Sequence, residues 1–257
     1  MAFFCLLPRI MLGAAGGLDF MRGVWPLILV FFLILAVFDV FYFLNRQLYF
    51  LLEREDWPAL ALYLEDRVVK QGHFSPHLVR ILADTYLALA DSAAVISLEN
   101  KAAIARPALV EENALVFGTA RILAGDVEGA IRFFEARRDR VKKSLAQWVR
   151  WYYGFALLLD RRYSPAADEF AALAVRSDNA VVAGLSAFFL SAPLSRNLPE
   201  RGPELRGAAE EGRDRVLKFL PRIGDWKKET EKSRAEIHAA VLGKYIDDTG
   251  RYIYGSA

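Results

Sequence analysis

Phe117-Gly118-Thr119-Ala120-Arg121-Ile122-Leu123-Ala124-Gly125-Asp126-Val127-Glu128-Gly129-Ala130-Ile131-Arg132-Phe133-Phe134 and Tyr153-Gly154-Phe155-Ala156-Leu157-Leu158-Leu159-Asp160-Arg161-Arg162-Tyr163-Ser164-Pro165-Ala166-Ala167-Asp168-Glu169-Phe170 are two versions of one pattern. In register, Gly118 falls on Gly154, Ala120 on Ala156, Ala130 on Ala166 and Phe134 on Phe170, at a period of 36 residues. A period of this size marks a stack of supersecondary units. Each copy is an apolar run, a short polar break and a second apolar run, which predicts two helices joined by a tight turn. The small residues fall where the two helices cross, and the phenylalanine fills the space beside the crossing.

The register continues upstream in weaker form. Ala83, Tyr86 and Asp91 fall at matching positions and Pro107 ends the unit, but Val95 replaces the packing alanine and Glu99 the aromatic. A shifted second helix is expected there. Further up, Asp56 to Glu65 reads as another second helix, with Pro58 allowed in its first turn and residues 41–54 as its partner. The unit spacings are then about 35, 35 and 36 residues.

This pattern resembles the tetratricopeptide repeat family in a divergent form, the family's usual repeat being slightly shorter. The resemblance implies an all-α fold, a TPR-like α-solenoid, whose first helices line a concave protein-binding groove. Carried over position by position, the groove lining is His77, Arg80 and Asp84, then Glu112, Leu115 and Thr119, then Trp148, Trp151 and Phe155. The lysine and asparagine set with which some members grip a terminal carboxylate is absent. The third set is an aromatic stripe, which calls for a cover, either a partner segment or the chain's own C-terminus.

Beyond Ser177, Asn179 to Ser191 reads as one more apolar helix. Pro193, Pro199 and Pro203 then break the helical pattern, making residues 192–203 a Pro-rich linker. Glu204 to Leu220 and Asp225 to Tyr245 read as capping helices, since a solenoid end needs a polar outer face. Trp226, Thr230, Ile237, Val241 and Tyr245 form one stripe on the last, and Gly250 is expected to end the regular pattern.

At the other end, Val24 to Phe38 holds no charge, and after Asp39 the run continues to Leu44. About 21 residues at 1.5 Å per residue span roughly 31 Å, the thickness of a hydrocarbon core. A buried core helix rarely runs this long without a polar face. Trp25, Tyr42 and Tyr49 suit interfacial belts. A signal peptide would need a small-x-small cleavage site, and Asp39-Val40-Phe41-Tyr42 offers none, so an uncleaved transmembrane helix over residues 23–45 is expected. Asp39 is an intramembrane polar group, meeting either headgroups and water or a partner helix. Residues 1–22 read as an irregular leader with flexible glycines between Gly13 and Gly17, Met21 being an alternative start to Met1. Arg9 and Arg22 before the span are matched in number by Arg46 and Arg54 after it; Arg22 beside the span, with the acids Glu53, Glu55 and Asp56 after it, mildly favours an N-in orientation. In a bacterium this puts the main body, repeats at 46–191 and capping helices and tail at 204–257, in the periplasm and the anchor in the inner membrane.

A net charge of +2 in 257 residues, with mixed signs, gives no field for nucleic acid. One cysteine, Cys5, supports neither an internal disulfide nor a metal site. His73 and His77 have helical metal spacing, but Ser75-Pro76 reads as a cap and first helical residue, leaving His73 in a loop, and His238 stands alone. Gly184-Leu185-Ser186-Ala187-Phe188 lacks the last glycine of a nucleophile elbow, and Gly13 to Gly17 matches no phosphate loop. No catalytic, metal, cofactor or small-molecule site is expected. The basic run Arg137 to Lys143 suits a solvated helix end or an anionic contact. The expectation is a membrane-anchored scaffold for other envelope proteins. The alternatives are a periplasmic chaperone-like accessory of a translocation machine and a structural subunit of a secretion or motility assembly.

Overall fold

Every described element of the computed structural model is helical. It describes residues 2–234 and 242–255, with side chains from Trp25 onward apart from Leu44, Ser144, Ala192, Ser233 and Arg234. The chain divides into two units, Met1–Asp56 and Trp57–Ala257.

The first unit is one helix, α1 (Ala2–Glu53), and its stretch Trp25–Phe43 is long and apolar enough to cross a membrane. Residues 2–22, expected to be irregular, are helical as well. Once the apolar stretch has formed a helix, each added residue gains a hydrogen bond without a new nucleation cost. Glycines at about 1 kcal/mol each do not end it.

The second unit contains α2 (Trp57–Glu65), α3 (Pro76–Ala88), α4 (Ser92–Ala105), α5 (Ala108–Glu112), α6 (Ala114–Leu123), α7 (Val127–Glu135), α8 (Lys143–Leu159), α9 (Tyr163–Arg176), α10 (Ala180–Phe189), α11 (Gly202–Phe219), α12 (Ile223–Arg234) and α13 (Gly243–Tyr254). Successive long helices pack on one another from α2 to α11, and α3 also meets α6, α6 meets α8, and α8 meets α10.

One turn geometry recurs along the chain. Glu55, Ala90, Gly125 and Arg161 all adopt positive φ, at +53°, +57°, +78° and +62°. The amide after each reaches back five residues: Asp56 N to Leu51 O, Asp91 N to Tyr86 O, Asp126 N to Arg121 O and Arg162 N to Leu157 O, at 2.8–3.2 Å. This left-handed cap satisfies carbonyls the helix end would otherwise leave open. Asp91 and Asp126 then cap the next helix, accepting from the Ala94 and Gly129 amides at 2.9 Å. The turns lie 35, 35 and 36 residues apart, the spacing of the sequence pattern.

Between the paired helices, a Cβ added to Gly118 would run into the Phe134 ring, with Cε2 at 2.7 Å and Cζ and Cε1 nearer still. At Gly154 a Cβ would meet Phe170 Cε1 at 3.3 Å. Phe134 stacks on Tyr152 at 5.6 Å, as Phe170 does on Phe189 at 5.5 Å. Ala120, Ala130, Ala156 and Ala166 are fully buried.

Four local expectations change. The helix carrying Glu99 is not shifted, since α4 starts after the Asp91 cap and the buried Glu99 carboxylate pairs with Arg121 of α6 where the next two units place a ring. Residues 192–203 are a packed corner and not a free linker. A π-helical turn at Leu190–Leu194 takes up Pro193, Leu190 and Leu194 are fully buried, and Arg201 ties the corner to Asp168 of α9 at 2.8 Å. The prolines do break the helix, but two leucines four apart keep one side of the break in the core. The stripe from Trp226 to Tyr245 is divided between α12 and α13, and Ile237 and Val241 lie outside the described residues. Gly250 sits inside α13, not at its end, where a Cβ would come within 3.0 Å of the Trp226 indole nitrogen.

Candidate functional site

The nine residues placed on the groove divide into an open half and a closed half. On α3, capped by Ser75 Oγ accepting from the Leu78 amide at 3.3 Å, His77 is exposed, while Arg80 and Asp84 are half-buried and 3.7 Å apart. Pro76 at the first helical position fixes where α3 begins, and so which residues share this face. Glu112 ends the short α5 and is held by Arg106 at 3.0 Å and Lys142 at 3.8 Å. The helix is interrupted at buried Asn113, whose side-chain amide donates to Leu109 O at 2.9 Å. Leu115 and Thr119, on α6 beyond this break, are buried.

The aromatic stripe on α8 is closed. Trp148 and Phe155 are each 7% exposed and Trp151 not at all. Trp151 stacks on Phe155 at 5.2 Å and meets Phe189 of α10 at 5.7 Å and Phe170 of α9 at 5.8 Å. Tyr245 of α13 completes the cover, 5.9 Å from Phe155 and 5.2 Å from Phe189. Of the two covers the sequence allows, the chain's own α10 and α13 take the place. Trp148, Trp151 and Phe155 are therefore core residues of this fold, not an open wall. The reason lies one unit downstream: α10 repeats the packing of α8, so its Phe189 reaches the stripe. Two buried polar atoms of these nine residues, Thr119 Oγ1 and Trp151 Nε1, have no hydrogen-bond partner among the described residues.

The cover is held at both ends. Gln147 of α8 accepts from Ser177 Oγ at 2.6 Å and from the Asn179 amide at 3.0 Å, and Asn179 caps α10. Arg213 of α11 donates to Ile253 O at 2.9 Å, and the Tyr254 hydroxyl to Leu220 O at 2.6 Å. Trp226 lies between Gly184 of α10 and Gly250 of α13.

Charged residues also serve internal contacts. Phe133 is flanked by the guanidinium groups of Arg137 at 3.9 Å and Arg121 at 4.7 Å, and burial lowers the Arg137 pKa from its ordinary value. Glu169 receives Arg138 at 3.1 Å and Arg150 at 2.8 Å. The basic run after α7 is thus partly absorbed by the fold, and one sequence signal for this was the carboxylate of Glu169 inside an otherwise apolar helix face. Burial raises the Tyr153 pKa, assisted by Glu135. Among the described residues no group of three or more histidines, cysteines or carboxylates is placed to hold a metal ion. His238 and the side chains of Cys5, Arg9 and Arg22 lie outside the described residues. Asp39 is exposed within α1.

Fold and site together define an all-helical protein with an apolar helix before a body of successive helix pairs, closed at one end by its own C-terminal helices. The chain belongs to a family described as an uncharacterised Treponema protein, whose model matches residues 94–255. The aromatic stripe and both helices that cover it fall inside that stretch. A Treponema pallidum (strain Nichols) protein, itself described as uncharacterized, is 26% identical over 234 residues, covering 88% of this chain and 74% of the relative. No solved structure matches the chain.

Proposed function

We propose that the protein is a membrane-anchored adaptor, a divergent tetratricopeptide-type solenoid that binds other proteins in the cell envelope. The observation that carries this reading is the recurrence of one left-handed turn at Glu55, Ala90, Gly125 and Arg161, each lying between the end of one helix and the start of the next. Stacks of such pairs expose a continuous surface of first helices, the usual reason for the architecture. The half of that surface open to a partner carries His77, Arg80, Asp84 and Glu112, whereas Trp148, Trp151 and Phe155 fix the C-terminal end. A chaperone that holds unfolded segments needs accessible apolar wall, and the burial of the stripe speaks against that alternative. Arginines tie in number across the apolar stretch of α1, Arg9 and Arg22 before it and Arg46 and Arg54 after it, and Arg22 immediately beside it tips the reading to a periplasmic body on an inner-membrane anchor.

The test is affinity purification of the full-length chain from gently solubilised membranes, followed by mass spectrometry. A stoichiometric folded partner, lost in an Arg80→Glu, Asp84→Lys double variant that keeps its helical circular dichroism, is the expected result. Partners indifferent to these changes would move binding away from the open half. Alkaline phosphatase fused after Ala257 is expected to be active; a fluorescent cytoplasmic reporter at the same junction, with no phosphatase activity, would reverse the orientation.

A further inference from the structure

Between residues 23 and 53 of α1 the charged residues are Asp39, Arg46 and Glu53, each seven residues after the last. Tyr42 and Tyr49 stand three residues after the first two, so the line Asp39-Tyr42-Arg46-Tyr49-Glu53 follows the alternating three-and-four spacing of a coiled-coil seam. An ideal α-helix drifts by about 20° per heptad against such a line, so all five stay on one face. All five are exposed. Tyr42 and Tyr49 stack at 5.9 Å with their planes 10° apart, and a shallow groove runs past them, lined by Tyr42, Arg46, Gln47, Tyr49, Phe50 and Glu53. Among the described residues no ion pair engages Asp39, Arg46 or Glu53. The rest of the stretch from Val40 to Leu52 is apolar except Asn45 and Gln47, and the Asn45 amide is turned to Phe41 O at 2.8 Å.

We propose that this seam docks one helix of a different membrane protein, bearing a cation, an anion and a cation at the same seven-residue spacing. The charge order chooses the partner. A second copy in parallel register sets Asp39 against Asp39, Arg46 against Arg46 and Glu53 against Glu53. An antiparallel copy centred on Arg46 sets Asp39 against Glu53, which is again like against like. Both symmetric pairings are repulsive at every charged layer, a device that selects against self-association. A complementary helix satisfies all three charges, and the one inside the apolar stretch, Asp39, gains most, because an unpaired carboxylate there is expensive.

The proposal rests on α1 being a retained membrane anchor. The test places the photo-crosslinker benzoylphenylalanine at Tyr42, Tyr49, Val37 or Val40 of the full-length chain in its own membranes, the valines lying on the opposite face. The expected result is one heteromeric adduct of the same mass from both tyrosine positions, at least tenfold weaker from both valines, lost in Arg46→Glu and kept in Arg46→Lys. An adduct of twice the chain's mass, equal yield from the two faces, or indifference to Arg46→Glu overturns it. Carbonate extraction of the same membranes separates the two ideas. A chain that stays in the pellet without facial preference loses the seam alone, and a chain that is extracted loses the anchor and the seam with it.

Discussion

Gly118 and Gly154 occupy the same place in two successive helix pairs, yet the structure predicts different answers to one substitution. In Gly118→Ala the new methyl overlaps the Phe134 ring, whose Cε2 is 2.7 Å from the Cβ position with two further ring carbons closer. Phe134 cannot swing away, because it is fully buried and stacked on Tyr152 at 5.6 Å. Overpacking of this kind costs about 1–3 kcal/mol, and so deep an overlap puts it near 3. Alanine returns about 1 kcal/mol of helix propensity. The net loss is about 2 kcal/mol, or roughly 4–8 °C in thermal midpoint for a domain of this size. In Gly154→Ala the nearest Phe170 carbon is at 3.3 Å, which a small shift relieves, so the propensity gain roughly cancels the strain and the midpoint moves by less than about 2 °C. The assay is thermal unfolding of the full-length chain in detergent, followed by far-ultraviolet circular dichroism. Adding Phe134→Leu to Gly118→Ala must recover part of the loss, a coupling expected only if the two groups touch. Equal shifts for the two glycines, or additive behaviour in the double variant, would refute the packing argument.

At the recurrent turns, Gly125→Ala is expected to destabilise and Ala90→Gly to stabilise, each by up to about 1 kcal/mol, because the left-handed conformation penalises a Cβ by more than glycine's added chain entropy; urea midpoints moving in the same direction would contradict this. Tyr245→Ala is expected to remove about 2 kcal/mol and to raise acrylamide quenching of tryptophan fluorescence, since Phe155 and Phe189 lose their cover; unchanged quenching would mean α13 does not close the stripe. Burial and the hydrogen bond to Glu65 raise the Tyr86 pKa above its ordinary value, and burial foremost does the same for Tyr153, Tyr252 and Tyr254. The folded state then holds these protons more tightly than the unfolded one, so their contribution is complete below about pH 10 and is lost as pH rises through the folded values. Stability measured between about pH 9 and 11 should fall less steeply in Tyr86→Phe than in the parent, and parallel curves would exclude the tyrosine.

The helix pairs were legible because glycine, alanine and phenylalanine at fixed spacing report a close crossing directly. The left-handed backbone at Ala90 and Arg161 was not, since it is imposed by the hydrogen bonds of the cap and neither residue is a glycine. Glu99 looked like a defect in the pattern, because its compensating arginine is 22 residues away on another helix, beyond any local period. The stripe of Trp148, Trp151 and Phe155 could be read as one face of α8, and its need for a cover followed from hydrophobicity. Which residues supply the cover, Phe189 and Tyr245, depends on how α10 and α13 come back onto α8. Local spacing does not encode that return. The same limit explains the corner at residues 192–203, where proline content announced a break and only tertiary burial of Leu190 and Leu194 kept the pieces together.

The isolation of the Trp151 indole nitrogen gives the molecule an optical reporter of its own. Five tryptophans are distributed along the chain, but Trp151 is fully enclosed by rings and its N–H meets no acceptor among the described residues. An indole without hydrogen bond or solvent dipoles to relax around its excited state emits at the short-wavelength edge of tryptophan fluorescence. Emission collected at that short-wavelength edge would then follow the closing of the C-terminal helices of the purified chain in real time, without a label.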